Sequence, residues 1–201
     1  CRSDETVPAL RWQPLIDAAG AILHIRRNAE QFGTDPAKIA ICGFSAGGHL
    51  AASTAILWDA EPVQTALGIH GTEARPDAVV LGYPVITAGE YAHRGSFVQL
   101  SGSEDRAEHQ RFGLEGKITP DTPPVFVWHT MEDDTVPVEN TLLLLAALRK
   151  NHVPCEAHLF EKGVHGTSIS TAEVDAASAH RAHWVQLAVE WLNDTFDFHL
   201  G

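Results

Sequence analysis

Only three cysteines occur in the 201 residues, Cys1, Cys42 and Cys155, an odd set without the close spacing of a metal site or a disulfide framework. Cys42 and Cys155 sit in apolar runs, so both are expected as buried thiols. Nothing here demands an oxidising compartment, and the cytoplasm is the favoured location. Basic residues are also scarce: 14 Lys and Arg stand against 26 Asp and Glu, for a formal net charge of −12. A surface of that sign repels phosphate backbones and anionic lipid, which argues against nucleic acid and membrane surfaces as partners. No apolar run approaches the roughly 20 residues that span a bilayer. Methionine occurs once, at Met131, and the chain opens Cys1-Arg2-Ser3-Asp4 without an initiator. That opening reads as the remainder of a longer polypeptide, whose start could carry a signal peptide.

What is present fits one globular domain, 44% hydrophobic and without internal repeats. Strand-like and helical patterns alternate. Residues 14–32 place Leu15, Ala18, Ala19, Ile22, Leu23 and Ala29 near helical spacing, with Pro14 suited to the first turn and Gly33 to the stop. "KIAIC" (38–42) predicts a buried strand, 46–58 an Ala- and Leu-rich helix, and "DAVVLGY" (77–83) a second strand ended by Pro84. Residues 86–119 are polar and glycine-bearing, read as loops and short helices. "PPVFVWH" (123–129) predicts a third strand, 137–150 a Leu-rich helix, "CEAHLF" (155–160) a fourth strand, and 176–194 a closing helix. Apolar strands alternating with helices predict an α/β fold, a parallel sheet with helices on both faces. Functional loops in such sheets follow the carboxyl ends of strands. Those loops carry Ser45, then Asp133 or Asp134, then His165.

Ser45 lies in "GFSAG", between Gly43 and Gly47. G-x-S-x-G arises by chance in roughly one chain of this size in twenty, so its context decides. A strand before it and a helix after it make the motif a nucleophile elbow, with Gly43 and Gly47 relieving the crowding of a sharp turn. The Ala46 N–H, at the start of the helix, then faces an oxyanion. A serine hydroxyl needs a base, and the base needs a carboxylate to fix its tautomer. Of the 12 histidines, His165 in "EKGVHGTS" sits between glycines just past the fourth strand. His24, His180 and His183 fall on predicted helices, where a solvated or core-edge role is expected. The pair His180-x-x-His183 lacks a further ligand at suitable spacing, so no metal is expected. His129 is read as structural or pocket-lining, and His49 as packing beneath the elbow. "HTMEDDTVPVEN" offers Glu132, Asp133 and Asp134; the pattern D-x-x-V-P selects Asp133, leaving Asp134 as a solvated neighbour.

The stretches "DPAKIAICGFSAGGHLAAS", "VVLGYPVI", "TPDTPPVFVWHTMEDDTVPVENTLLLLAALRKNHVP" and "HLFEKGVHG" together resemble the α/β-hydrolase superfamily, in its bacterial acetyl-esterase and acetyl-xylan-esterase-like branch. The resemblance spans residues 10–195. It implies Ser45 as nucleophile, Asp133 as acid, His165 as base and short acyl esters as small-molecule substrates, often acetylated sugars, with no cofactor. It also makes Tyr83 and Pro84 substrate-binding and 86–119 a cap or pocket-lining segment. Members of the superfamily resemble one another further in early strands and a Gly-rich loop supplying other oxyanion donors, and this sequence has no such loop. The chain therefore reads as the C-terminal portion of the fold. The expectation is that a preceding segment, or a second copy of the chain, pairs with the edge of the first strand. An acyl-peptidase using the same triad and a non-catalytic hydrolase-like module are the alternatives. An intact Ser45, Asp133 and His165 weighs against the module.

Overall fold

The computed structural model describes residues 10–174 and 177–197, which leaves Cys1 outside the described residues. Four strands, β1 (Ala40–Phe44), β2 (Ala78–Gly82), β3 (Val125–Thr130) and β4 (Cys155–Phe160), form one sheet in the order β1-β2-β3-β4. All three pairings are parallel, with Cys42 opposite Val80, Val80 opposite Phe126 and Val127 opposite Ala157. β2 and β3 are buried at every residue, as central strands covered on both faces must be.

Side-chain alternation divides the core. Val79, Leu81, Val125 and Val127 point to one face, where they meet Ala51, Ala52, Ala55 and Ile56 of α3 (Ser45–Ile56) and Leu144 and Leu148 of α7 (Glu139–Lys150). Val80, Phe126 and Trp128 point to the other, under Trp184 and Ala188 of α8 (Ala179–Phe196). There the indole of Trp128 stacks on that of Trp184, centroids 5.2 Å apart. A third cluster joins Leu15, Ala19 and Leu23 of α1 (Gln13–Arg27) to Val63 of α4 (Glu61–Leu67), Ile69 and Ala74.

The expected helix over 14–32 is interrupted. α1 stops at Arg27, and α2 (Ala29–Phe32) follows after Asn28, whose φ is −114°. The Asn28 Nδ2 donates to the His24 carbonyl at 2.8 Å, so the side chain competes for a helical acceptor. Residues 86–119 hold two short helices, α5 (Arg94–Ser101) and α6 (Arg106–Gln110), the second capped by Asp105, which accepts from the Ala107 N–H.

Cys42 departs from expectation: it is exposed, and Cys155 is half-buried. The cause is the placement of α8, which packs over β2, β3 and β4 and reaches β1 at its last residue, where Trp184 meets Phe44 edge-on. Cys42 and Ala40, earlier on the same strand, are exposed. Among the described residues β1 has a strand partner on one edge only. No helix among them is long and apolar enough to cross a membrane.

Candidate active site

β1 runs into α3 without an intervening loop, so the chain reverses direction at Ser45, which takes a φ of +55°. A non-glycine residue in that region is strained, and such strain collects where geometry is functional. The turn brings Gly43 against α3: a Cβ on Gly43 would lie 2.2 Å from the Gly47 carbonyl oxygen. The second tight glycine is not the expected Gly47, around which a Cβ meets nothing within 4 Å, but Gly48, whose Cβ would lie 2.8 Å from the Pro84 Cβ. Ala46, exposed in the first turn of α3, has one of the N–H groups that a helix leaves without an internal acceptor.

The side chains of Ser45, His165 and Asp133, far apart in sequence, form one hydrogen-bonded row. Ser45 Oγ lies 2.8 Å from His165 Nε2, and His165 Nδ1 lies 2.7 Å from Asp133 Oδ2. Asp133 follows β3 and its side chain is completely buried, while the His165 side chain is 18% exposed. Asp133 Oδ1 accepts from the N–H groups of Thr135, at 3.0 Å, and Val136, at 2.9 Å. Burial opposes ionisation of this carboxyl. Hydrogen bonds from His129, His165 and Val136, with attraction to the His165 ring, outweigh it and hold the group below the usual carboxylate range. Its two acidic neighbours point outward: Glu132 accepts from the Gly163 N–H at 3.2 Å, and Asp134 accepts from the Thr135 hydroxyl at 3.4 Å.

The loop that carries His165 is tied down from below. The Thr130 hydroxyl donates to the Gly163 carbonyl at 2.7 Å, and Gly163 takes a φ of +143° where a Cβ would lie 2.8 Å from the Thr130 methyl. Tyr83 also serves this loop. It sits just past β2 with a φ of +36°, its ring packs edge-on against the His165 imidazole at 4.9 Å, and its hydroxyl accepts from the Ser168 N–H at 3.0 Å. Burial pushes the Tyr83 phenol up.

A cavity of about 460 Å³ adjoins the elbow, and Ala46 and Gly47 form part of its wall. The remaining wall is mostly apolar: Trp12, Leu15, Leu50, Leu57 and Val85, closed by Phe97, Leu100 and Phe112 from the 86–119 segment. Tyr83 and Pro84 do not line it. Both are buried, Tyr83 behind the imidazole and Pro84 against Gly48. His49 does line it, with Nε2 donating to the Phe112 carbonyl at 2.8 Å. Burial lowers the pKa of His49, consistent with a neutral ring that joins α3 to the 86–119 segment.

Two further residues shape this site: His129, which the sequence reads as structural or pocket-lining, and Asn140, to which it gives no role. His129 is completely buried and bonds Asp133 directly. Asn140, also buried, accepts from the Ile86 and Thr87 N–H groups and donates to the carbonyls of Tyr91 and Pro137, at 2.9–3.0 Å. It fastens the segment after β2 to the start of α7. Asn140→Ala strands the Ile86 and Thr87 N–H groups, each costing about 1–3 kcal/mol where water cannot reach, and frees the Tyr91 carbonyl, while the Pro137 carbonyl keeps the residue 140 N–H. The expected result is a loss of roughly 2–5 kcal/mol in denaturant unfolding, and a loss below 1 kcal/mol would show that water replaces the side chain. Neither residue has a local sequence signal beyond a polar residue at a buried register position. His180 and His183 lie exposed on α8, and among the described residues no group of three His, Cys, Asp or Glu side chains is placed to hold a metal ion.

The comparisons with known proteins agree with this architecture. The model of the family described as BD-FAE matches residues 4–148. A xylanase, endo-1,4-beta-xylanase B of Butyrivibrio fibrisolvens, is 39% identical over 165 residues, covering 82% of this chain and 26% of the relative. An acetylxylan esterase of Xylanibacter ruminicola is 27% identical over 164 residues, covering 79% of this chain and 32% of the relative. Among solved structures, an acetyl ester-xyloside bifunctional hydrolase from Caldicellulosiruptor lactoaceticus superposes with a TM-score of 0.77 at 35% identity, covering 92% of this chain and 66% of that one. The chain thus spans about a quarter to a third of these curated relatives and about two thirds of the solved structure. With its parallel sheet, its elbow after β1 and a family match over most of its length, the chain belongs to the BD-FAE family, in the acetyl-esterase-like branch of the α/β-hydrolases.

Proposed function

We propose that the chain carries the catalytic machinery of a serine carboxylesterase acting on short acyl esters, acetyl esters of carbohydrates among them. The observation that carries the reading is the unbroken row from Ser45 through His165 to a buried, ionised Asp133. In that reading His165 Nε2 takes the Ser45 proton as Oγ attacks the ester carbonyl. The tetrahedral oxyanion faces the Ala46 N–H. His165 then returns the proton to the departing alkoxide, leaving an acyl-serine, and activates the water that hydrolyses it. No step calls for a metal or an organic cofactor. Two relatives, named an acetylxylan esterase and an acetyl ester-xyloside bifunctional hydrolase, support acetylated sugars as the substrate class.

Turnover of p-nitrophenyl acetate by the full chain, with fluorophosphonate labelling of Ser45, tests the reading. Neither turnover nor labelling would leave a non-catalytic module. Aminoacyl-anilide cleavage faster than ester cleavage would favour an acyl-peptidase. Acetyl esters are expected to outrun octanoyl esters, because a closed acyl site discriminates by about 1–3 kcal/mol per methylene. Equal or faster octanoyl turnover would overturn the short-chain preference and assign the acyl group to the cavity beside Ala46.

A further inference from the structure

Two imidazoles, not one, converge on the same oxygen of Asp133. His165 Nδ1 approaches Oδ2 at 2.7 Å from the loop after β4, and His129 Nε2 approaches it at 3.2 Å from the end of β3. His129 is fully enclosed, and its Nε2 also faces the Val136 carbonyl at 3.0 Å. Carboxylate and carbonyl are both acceptors, so Nε2 must carry a proton. The other ring nitrogen, Nδ1, lies 2.8 Å from the Thr141 hydroxyl of α7, which supplies its donor. Thr141 thereby fixes the ring orientation and tautomer from one side while the acid loop engages it from the other.

We infer that His129 is a positioning residue for the proposed triad: it acts through Asp133, holding the carboxylate toward His165 and sharing its charge. The inference rests on the serine-hydrolase reading above. The geometry suits this role because His129 grips both ends of one short turn. Its Nε2 bonds the Asp133 side chain and the Val136 carbonyl, and the Val136 N–H returns to Asp133 Oδ1. The turn between Asp133 and Val136 is thus closed on itself, with the imidazole as its third side. The Asp133 carboxylate has four donors, from His129, His165, Thr135 and Val136, and its side chain has no exposure to water. The other titratable groups facing this cluster are Tyr83, with its ring 4.9 Å from His165 and 6.5 Å from His129, and Glu132 and Asp134 on the same loop, which bond outward.

Charge sharing has a sign. With the His129 donor gone, the negative charge on Asp133 falls more fully on His165, which then keeps its proton to higher pH. A base that keeps its proton cannot accept one from Ser45, so the acidic limb of kcat/KM should move upward. A residue that only filled space would alter stability and leave that limb in place.

The test compares His129→Phe, which keeps a ring without a donor, with His129→Gln, whose side-chain amide nitrogen sits the same number of bonds from Cα as Nε2. In the full chain, H129F is expected to lower kcat roughly 10- to 100-fold, the range for losing a hydrogen bond to a buried charge. KM should stay within about twofold, and the acidic limb should rise by about half a pH unit, a fraction of the 1.36 kcal/mol that one unit represents. H129Q should recover most of kcat and the parent limb. If H129F does not fold, Thr141→Val, which removes only the donor to Nδ1, should give a smaller fall with the limb displaced in the same direction. Equal losses in H129F and H129Q, or an unmoved limb, would overturn the positioning role. Fluorophosphonate labelling separates the two levels. A labelled parent with an unaffected H129F refutes His129 alone, whereas an unlabelled parent refutes the serine-hydrolase reading beneath it.

Discussion

Ser45→Ala is expected to abolish ester hydrolysis in the full chain while leaving the fold in place. Loss of the nucleophile from a triad that works as a unit costs on the order of 10⁶ in kcat. The structure gives reasons to expect an intact fold. The Ser45 side chain makes one hydrogen bond, to a histidine that is itself partly exposed, so its removal strands no buried group. The strain at Ser45 belongs to its backbone, with φ at +55°, and alanine inherits it unchanged. That backbone supplies an internal control. Ser45→Gly should be just as inactive but more stable than Ser45→Ala by about 0.5–1 kcal/mol, because glycine enters the left-handed region without a Cβ penalty. Thermal melts of the two variants read this difference, and p-nitrophenyl acetate turnover reads the chemistry. A Ser45→Ala chain that kept most of the parent rate would remove the covalent route from the mechanism. Equal stability of the glycine and alanine variants would show that the elbow is not strained.

The sequence reading succeeds where information is local and periodic. The fourth strand has the bounds expected of it, 155–160, and the other three begin within two residues of their predicted starts, because each is an apolar run between turn residues. The row of three side chains was legible too, since each member has its own loop signal: glycines about Ser45, V-P after Asp133 and glycines flanking His165. What escaped depends on residues remote in sequence. Whether Cys42 is buried depends on how far α8 reaches across the sheet, which no feature near residue 42 encodes. The crowding at Gly48 comes from Pro84, 36 positions away, so pattern alone could not choose between Gly47 and Gly48. The family resemblance implies Tyr83 against substrate, but the residue takes a positive φ and its ring packs on His165. α4 has the marks of a helix, a proline in its first turn and a left-handed glycine at its end, yet its 7 residues contain too few turns for periodicity to register. His129 and Asn140 look like ordinary polar residues, and only the assembled fold makes them a clamp on the acid loop and a fastening for the segment after β2.

Asp133→Asn should lower kcat by about 10⁴, whereas Asp134→Asn should leave it within about twofold, although the two residues are adjacent. Asp133 Oδ1 faces two backbone donors, the N–H groups of Thr135 and Val136, so the amide oxygen of an asparagine must occupy that side. Its amino group then occupies the Oδ2 position and meets His165 Nδ1 as a donor meeting a donor. The imidazole resolves the clash by moving its proton to Nε2, where it points at Ser45 Oγ. In that tautomer the ring cannot accept the serine proton, and the comparable change in another triad costs about 10⁴. Asp134 is exposed and holds one 3.4 Å contact with the Thr135 hydroxyl, so its replacement falls among surface substitutions worth within about 0.5 kcal/mol. The two variants should also differ in acid stability. Because the folded Asp133 carboxyl sits below its unfolded value, its ionisation stabilises the fold above the ordinary carboxylate range and that contribution fades as pH falls through the folded value. Denaturant unfolding between pH 7 and pH 3 should therefore show a shallower decline for Asp133→Asn than for the parent, with Asp134→Asn tracking the parent. The same depression keeps Asp133 ionised through the weakly acidic range, which assigns the acidic limb of the rate profile to a group other than this carboxyl. Equal, small losses of kcat in both variants would mean that the acid lies elsewhere and that the buried carboxylate serves only to shape the loop.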